Sequence, residues 1–119
     1  MFQITNLTKR KIPKIFWRKI AEEVLGKKYD LSLVFAADTL MKKLNSQYRR
    51  KNRPATVLSF PLSKNEGEIF INLAQKKHTP LLLFIHALLH LKGFEHGAKM
   101  KEQEKKLMKK YGARHSYRA

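Results

Sequence analysis

Apolar and polar residues alternate over Phe2-Gln3-Ile4-Thr5-Asn6, as they do in a short strand. The period then changes. Pro13 is placed to open a helix in which Ile15, Phe16, Ile20, Val24 and Leu25 recur at helical spacing, and Gly26 can close it. Leu31 to Ala36 reads as a second strand. Asp38 is expected to cap a second helix running to about Tyr48, with Leu40, Met41, Leu44 and Tyr48 on one side. Thr56 to Phe60 reads as a third strand stopped by Pro61. Ser63 to Gly67 is turn material, and Glu68 to Asn72 is a fourth strand, close enough to the third to form a hairpin. Thr79-Pro80 marks a helix start, and Gly93 marks its end after Lys92. A last, highly charged helix runs from about Ala98 to Tyr111, tied down by Leu107, Met108 and Tyr111. The stretch Arg114 to Arg118, holding His115, reads as unstructured, so a basic tail is expected over 112–119. Four short strands with helices before, between and after them predict one α/β (α+β) domain over 1–119: a central mixed sheet packed by helices.

The helix from Leu81 to Leu91 is apolar on every side except at His86 and His90. Such a helix is normally buried, and a buried polar group without a partner costs about 1–3 kcal/mol. Residues four apart share a helix face, so His86 and His90 can aim at one point. Gly93 permits a sharp turn that returns His96 to the same point. Three neutral imidazoles suit Zn²⁺ and leave a fourth position for water; nickel, copper or cobalt can use the same rings. The competing arrangement is core or cleft histidines, each bonded to a backbone carbonyl. The spacing also matches the ligand positions of the metzincin peptidases, but position 87 is alanine where their catalytic glutamate stands. Glu95, the one carboxylate inside the segment, reads as a solvated turn residue or an orienter of an imidazole.

Charge adds a partner. Lys and Arg number 26 against 9 Asp and Glu, a formal net charge of +17. So large an excess repels itself unless an anion such as RNA is near. Arg49, Arg50, Lys51 and Arg53 form a basic loop suited to phosphate, and the lysines between Lys101 and Lys110 can add nonspecific grip. There is no cysteine, which excludes disulfides, thiolate catalysis and Cys-based zinc fingers. No apolar segment suits a secretory signal or a membrane span, so a soluble cytoplasmic protein is expected.

The segment from His86 to His96, HALLHLKGFEH, resembles the H-G-x-L-H-L-x-G-Y-D-H motif of the bacterial YbeY family. Leu44 to Pro61 is similar to that family's L-N-x-x-[YF]-R-x-K-D-x-P-T-[DN]-V-L-S-F-P, and Gly67 to Ile71 to its G-D-I-x-I strand. The resemblance implies a zinc-dependent endoribonuclease that prefers single strands and acts in rRNA maturation at the ribosome. It implies zinc on His86, His90 and His96, and a functional cleft arginine at Arg49. The chain departs from the motifs at Asn52, Ala55, Ala87, Phe94 and Glu95, and its segment from Asn72 to His86 is short, as if a helix were missing. Two other readings stay open. One is a ribosome-associated assembly factor with a structural metal, which a fourth protein ligand would favour. The other is a zinc peptidase drawing a carboxylate from Glu68 or Glu95.

Overall fold

The computed structural model describes residues 1–116, with side chains through residue 112. The elements run β1 (Phe2–Asn6), α1 (Trp17–Leu25), β2 (Asp30–Ala36), α2 (Asp38–Arg49), β3 (Val57–Ser63), β4 (Glu66–Asn72), α3 (Pro80–Lys92) and α4 (Ala98–Ser116). They form a four-stranded mixed sheet of order β1-β2-β4-β3. β1, β2 and β4 are parallel, and β3 returns antiparallel to β4 as the expected hairpin.

Alternation along the strands divides the core between two faces. Leu31, Leu33, Phe35, Ile69 and Ile71 point to the side covered by α1, α3 and α4. Ala36, Leu58, Phe60 and Phe70 point to the other side, covered by Leu40, Met41 and Leu44 of α2. β2 lies between two parallel neighbours, so its residues from Leu33 to Ala36 are all buried and it reads as a near-continuous apolar run. The largest cluster gathers on α3, where seven residues from Leu81 to Leu89 are buried, as a helix apolar all round requires.

Several boundaries differ from expectation. α1 begins at Trp17, not at Pro13: the indole Nε1 donates to the Pro13 carbonyl at 3.1 Å, and residues 13–16 lie outside the helix. Asp38 is not the cap of α2. Ala37 occupies that position, and the Asp38 carboxylate instead accepts from Asn72 Nδ2 at 2.7 Å, tying α2 to the end of β4. β3 continues through Pro61 to Ser63, with a register shift between those two residues. It can do so because β3 is an edge strand, where the missing N–H of proline faces no partner. α4 runs on to Ser116, beyond the expected end at Tyr111, so the stretch expected as tail is helical up to that residue. Residues 117–119 of the expected tail lie outside the described residues. No helix separates β4 from α3, in keeping with the short connection. Among the described residues, no helix is long and apolar enough to cross a membrane.

Candidate metal centre and basic cleft

α3 is built to present its histidines. Thr79 Oγ1 accepts from the Leu82 N–H at 3.2 Å, and Pro80 occupies the first turn. At the other end Gly93 takes φ 111°, while the Gly93 and Phe94 N–H groups donate back to the carbonyls of His90 and Leu89. This is a Schellman closure, and it needs a left-handed residue where only glycine is comfortable. It packs Phe94 against the core and directs the chain back, so that His96 meets the helix histidines.

The ring centroids of His86, His90 and His96 lie 4.6, 4.7 and 5.2 Å apart in the three pairings. One nitrogen from each falls within 4.8 Å of the others, and among the described residues these three make up the group. His86 and His90 are half-buried and His96 is exposed at the rim. The outer nitrogens fix the tautomers. His86 Nδ1 lies 2.7 Å from Glu104 Oε2, and His90 Nδ1 lies 3.1 Å from the Phe94 carbonyl. Carboxylate and carbonyl only accept, so each Nδ1 carries the proton and donates. The two Nε2 atoms then face each other 3.1 Å apart with lone pairs inward. Two facing lone pairs repel, and a cation between them removes the conflict. The donor set therefore fits a transition-metal ion such as zinc, whose imidazole nitrogens bind at about 2.0–2.1 Å. Burial holds His90 below the ordinary imidazole range, and the neighbouring His86 and His96 add to this; the Phe94 carbonyl and Glu104 pull weakly the other way. A neutral ring at neutral pH is the form that ligates.

The histidines open onto a cleft of about 670 Å³. The same cleft is lined by Arg49 from the end of α2 and by Lys51 and Arg53 from the loop that follows. Arg50, also expected at the site, does not line it. Arg50 is the left-handed C-cap of α2, with φ 56°, and its side chain is exposed elsewhere. Asn45 braces this loop from below. Its backbone carbonyl accepts the N–H groups of Arg50 and Lys51, and its Nδ2 donates to the Arg53 carbonyl at 2.8 Å. Among the described residues no acidic one lines the cleft, and Ala87 is part of its lining. Glu95 is exposed, and Glu68 borders a different cavity.

Glu104 was not picked out from the sequence. It stands on α4 in one stripe with Met100, Leu107 and Tyr111, all buried. A carboxylate on the apolar stripe of a lysine-rich helix is the signal that marks it.

The family model described as Endoribonuclease YbeY matches residues 3–116. Among curated proteins, the Endoribonuclease YbeY of Ehrlichia ruminantium (strain Gardel) is 36% identical over 135 residues, covering 90% of this chain and 85% of its own. That of Campylobacter jejuni subsp. jejuni serotype O:23/36 (strain 81-176) is 39% identical over 103 residues, covering 71% and 76%. The solution structure of TM1509 from Thermotoga maritima superposes with a TM-score of 0.57 at 25% identity, over 90% of this chain and 86% of that one.

Proposed function

Because the chain belongs to the YbeY endoribonuclease family, we propose that it is a zinc-dependent endoribonuclease that cuts single-stranded RNA in the cleft between His86, His90, His96 and Arg49, in rRNA maturation. The observation that carries this reading is the shared cleft: three converging imidazoles line it together with Arg49, Lys51 and Arg53, and among the described residues no carboxylate does. His86, His90 and His96 would hold the ion. When bound, it supplies Lewis acidity toward a phosphodiester and the attacking water.

The chain's own groups do the rest. Arg49 offers a planar fork to the scissile phosphate and can stabilise charge that develops there. Lys51 and Arg53 neutralise neighbouring phosphates, and the exposed lysines of α4 add unspecific attraction. Glu104 and the Phe94 carbonyl hold two imidazoles in the tautomer that turns Nε2 toward the cleft. A cleft that is basic and lacks an acid favours a polyanion over a peptide. The peptidase reading needs a general-base carboxylate near the ion, and Glu68 and Glu95 stand elsewhere. The structural-metal reading needs a further protein ligand, and among the described residues the group holds only the three histidines.

The test is cleavage of a single-stranded RNA by wild type, His90→Ala and Arg49→Ala, purified identically, with a duplex RNA and casein as comparison substrates. RNA cleavage by wild type, lost in both variants and absent on casein, is the expected result. Equal cleavage by all three proteins would mean a contaminating nuclease and would sink the reading. Metal analysis of untagged protein identifies the ion, and expected occupancy is one per chain in wild type and Arg49→Ala but not in His90→Ala.

A further inference from the structure

A second cavity, of about 620 Å³, lies beside the first and plays no part in the function argued above. Arg10 and Lys11 reach it from the segment after β1, and Lys76, Lys77 and His78 from the segment after β4. β1 and β4 are both parallel to β2 and flank it, so these two segments leave the sheet at the same end. The carboxyl ends of parallel strands are where separate loops converge on a ligand. Here the convergence gathers cations from distant parts of the sequence, and among the described residues no acidic one lines the cavity. Asp38, close enough to feel the charge of Arg10, already has its Oδ1 bonded to Asn72 and Gln75. Like charges assembled in a concavity repel one another unless an anion enters it.

Lys77 belongs to the wall of both cavities. The two therefore adjoin at Lys77, just before the start of α3. From His86 back to Pro80 the helix rises about 9 Å. An RNA strand lying across the histidine cleft and leaving it past Lys77 runs directly into the second basic hollow.

We propose that this hollow is a second phosphodiester-binding subsite, gripping the RNA backbone on one side of the scissile position through Arg10, Lys11 and Lys76, with Lys77 as the junction. The proposal rests on the reading of the cleft as an RNA site. Its ligand is the sugar–phosphate backbone, so it contributes affinity and register without reading bases.

Binding of 2′-O-methyl oligouridylates to the full chain, with each oligonucleotide checked to be intact after the measurement, tests it. One oligonucleotide of about 4 residues fills only the cleft, and one of about 12 reaches both cavities. The variants are Lys11→Glu/Lys76→Glu and the milder Lys11→Gln/Lys76→Gln. The control is Lys27→Glu/Lys28→Glu, which makes the same charge change in the turn before β2, at the opposite end of the sheet. In wild type the longer strand should bind more tightly. In Lys11→Glu/Lys76→Glu that gain should fall by about tenfold or more at low salt, and the salt slope should shrink by about 0.7 for each phosphate released. The glutamine pair should lie between, with an unchanged melting curve, and the short strand should respond only as it does to the control. If the control weakens the longer strand equally, or if the gain survives charge reversal, the subsite is refuted while the cleft reading stands. If wild type binds neither strand, or if Arg49→Ala leaves binding of both unchanged, the cleft reading fails and takes the subsite with it.

Discussion

His86 Nδ1 and the Glu104 carboxylate lie 2.7 Å apart, joining α3 to α4 across 18 positions of sequence. Both side chains are mostly shielded, at 30% and 23% exposure, so the contact is screened less than a surface pair. It sets the direction of one imidazole by a charge-assisted hydrogen bond. Glu104→Gln keeps the shape but removes the charge, and outer partners of this kind are worth about 10–100-fold in metal affinity. Competition against a chelator of known affinity should show a loss in that range with an unchanged circular dichroism spectrum. Unaltered affinity would make Glu104 a packing residue only.

Asn45 is 2% exposed and holds both ends of the basic loop, by its carbonyl and by its side chain. Its Oδ1 is buried without a hydrogen-bond partner among the described residues, so the side chain is kept for what its Nδ2 does. Asn45→Ala removes the hydrogen bond to the Arg53 carbonyl, at a cost of about 0.5–1.5 kcal/mol. Because the loop carries Arg49, Arg50, Lys51 and Arg53, limited trypsin digestion reads its release directly. Cutting there should accelerate in the variant, and RNA should bind more weakly. A digestion pattern identical to wild type would contradict the bracing role.

Gly67 lies at the start of β4, where a Cβ would run into the Tyr29 hydroxyl and stand 3.1 Å from Leu91 Cδ2. Tyr29 is partly buried there: burial first, and the nearby Glu66 charge second, hold its phenol above its ordinary pKa. Gly67→Ala must displace one of these side chains, and overpacking of this kind costs about 1–3 kcal/mol. Thermal melting should fall by several degrees without loss of metal. A melting point equal to wild type would show that the Tyr29 ring swings aside freely.

Glu23 links α1 to α4 through Lys110, whose Nζ is 2.7 Å away, and through the Tyr111 hydroxyl. The hydrogen bond from Lys110, then that from Tyr111, lower its pKa below 4.5. A depressed carboxyl stabilises the fold above its unfolded value, and that stability is lost as pH falls through the folded value. With 36% and 52% exposure the pair is worth at most about 1 kcal/mol after solvent screening. Glu23→Gln should therefore melt a few degrees lower at pH 7, and the gap should close as pH drops below 4.5. A gap of constant size across that range would assign the effect to shape and not to charge.

The histidine group was legible because it is local. His86, His90, Gly93 and His96 follow one another along a helix and its closure, and helix periodicity with glycine geometry suffices to bring them together. Glu104 was not legible, because its partner is chosen by how α4 packs on α3. The errors share that cause. Asp38 has the chemistry of a cap, yet Asn72, arriving from β4, takes its carboxylate. Arg50 sits inside the basic loop, yet a left-handed backbone turns it out of the cleft that Arg49, Lys51 and Arg53 line. Pro61 carries the signal of a strand end, yet an edge position removes the reason to stop.

That proline matters beyond the monomer. A sheet margin with every amide and carbonyl on offer invites another chain to add itself, and the products are stacked, insoluble assemblies. Along β3 a missing donor at Pro61 and the shifted register before Ser63 spoil the template, and the +17 charge keeps like molecules apart while they diffuse. Pro61 and the net charge thus oppose self-association by two separate means, and polyanions that mask the charge would leave the broken margin as the remaining safeguard on that side.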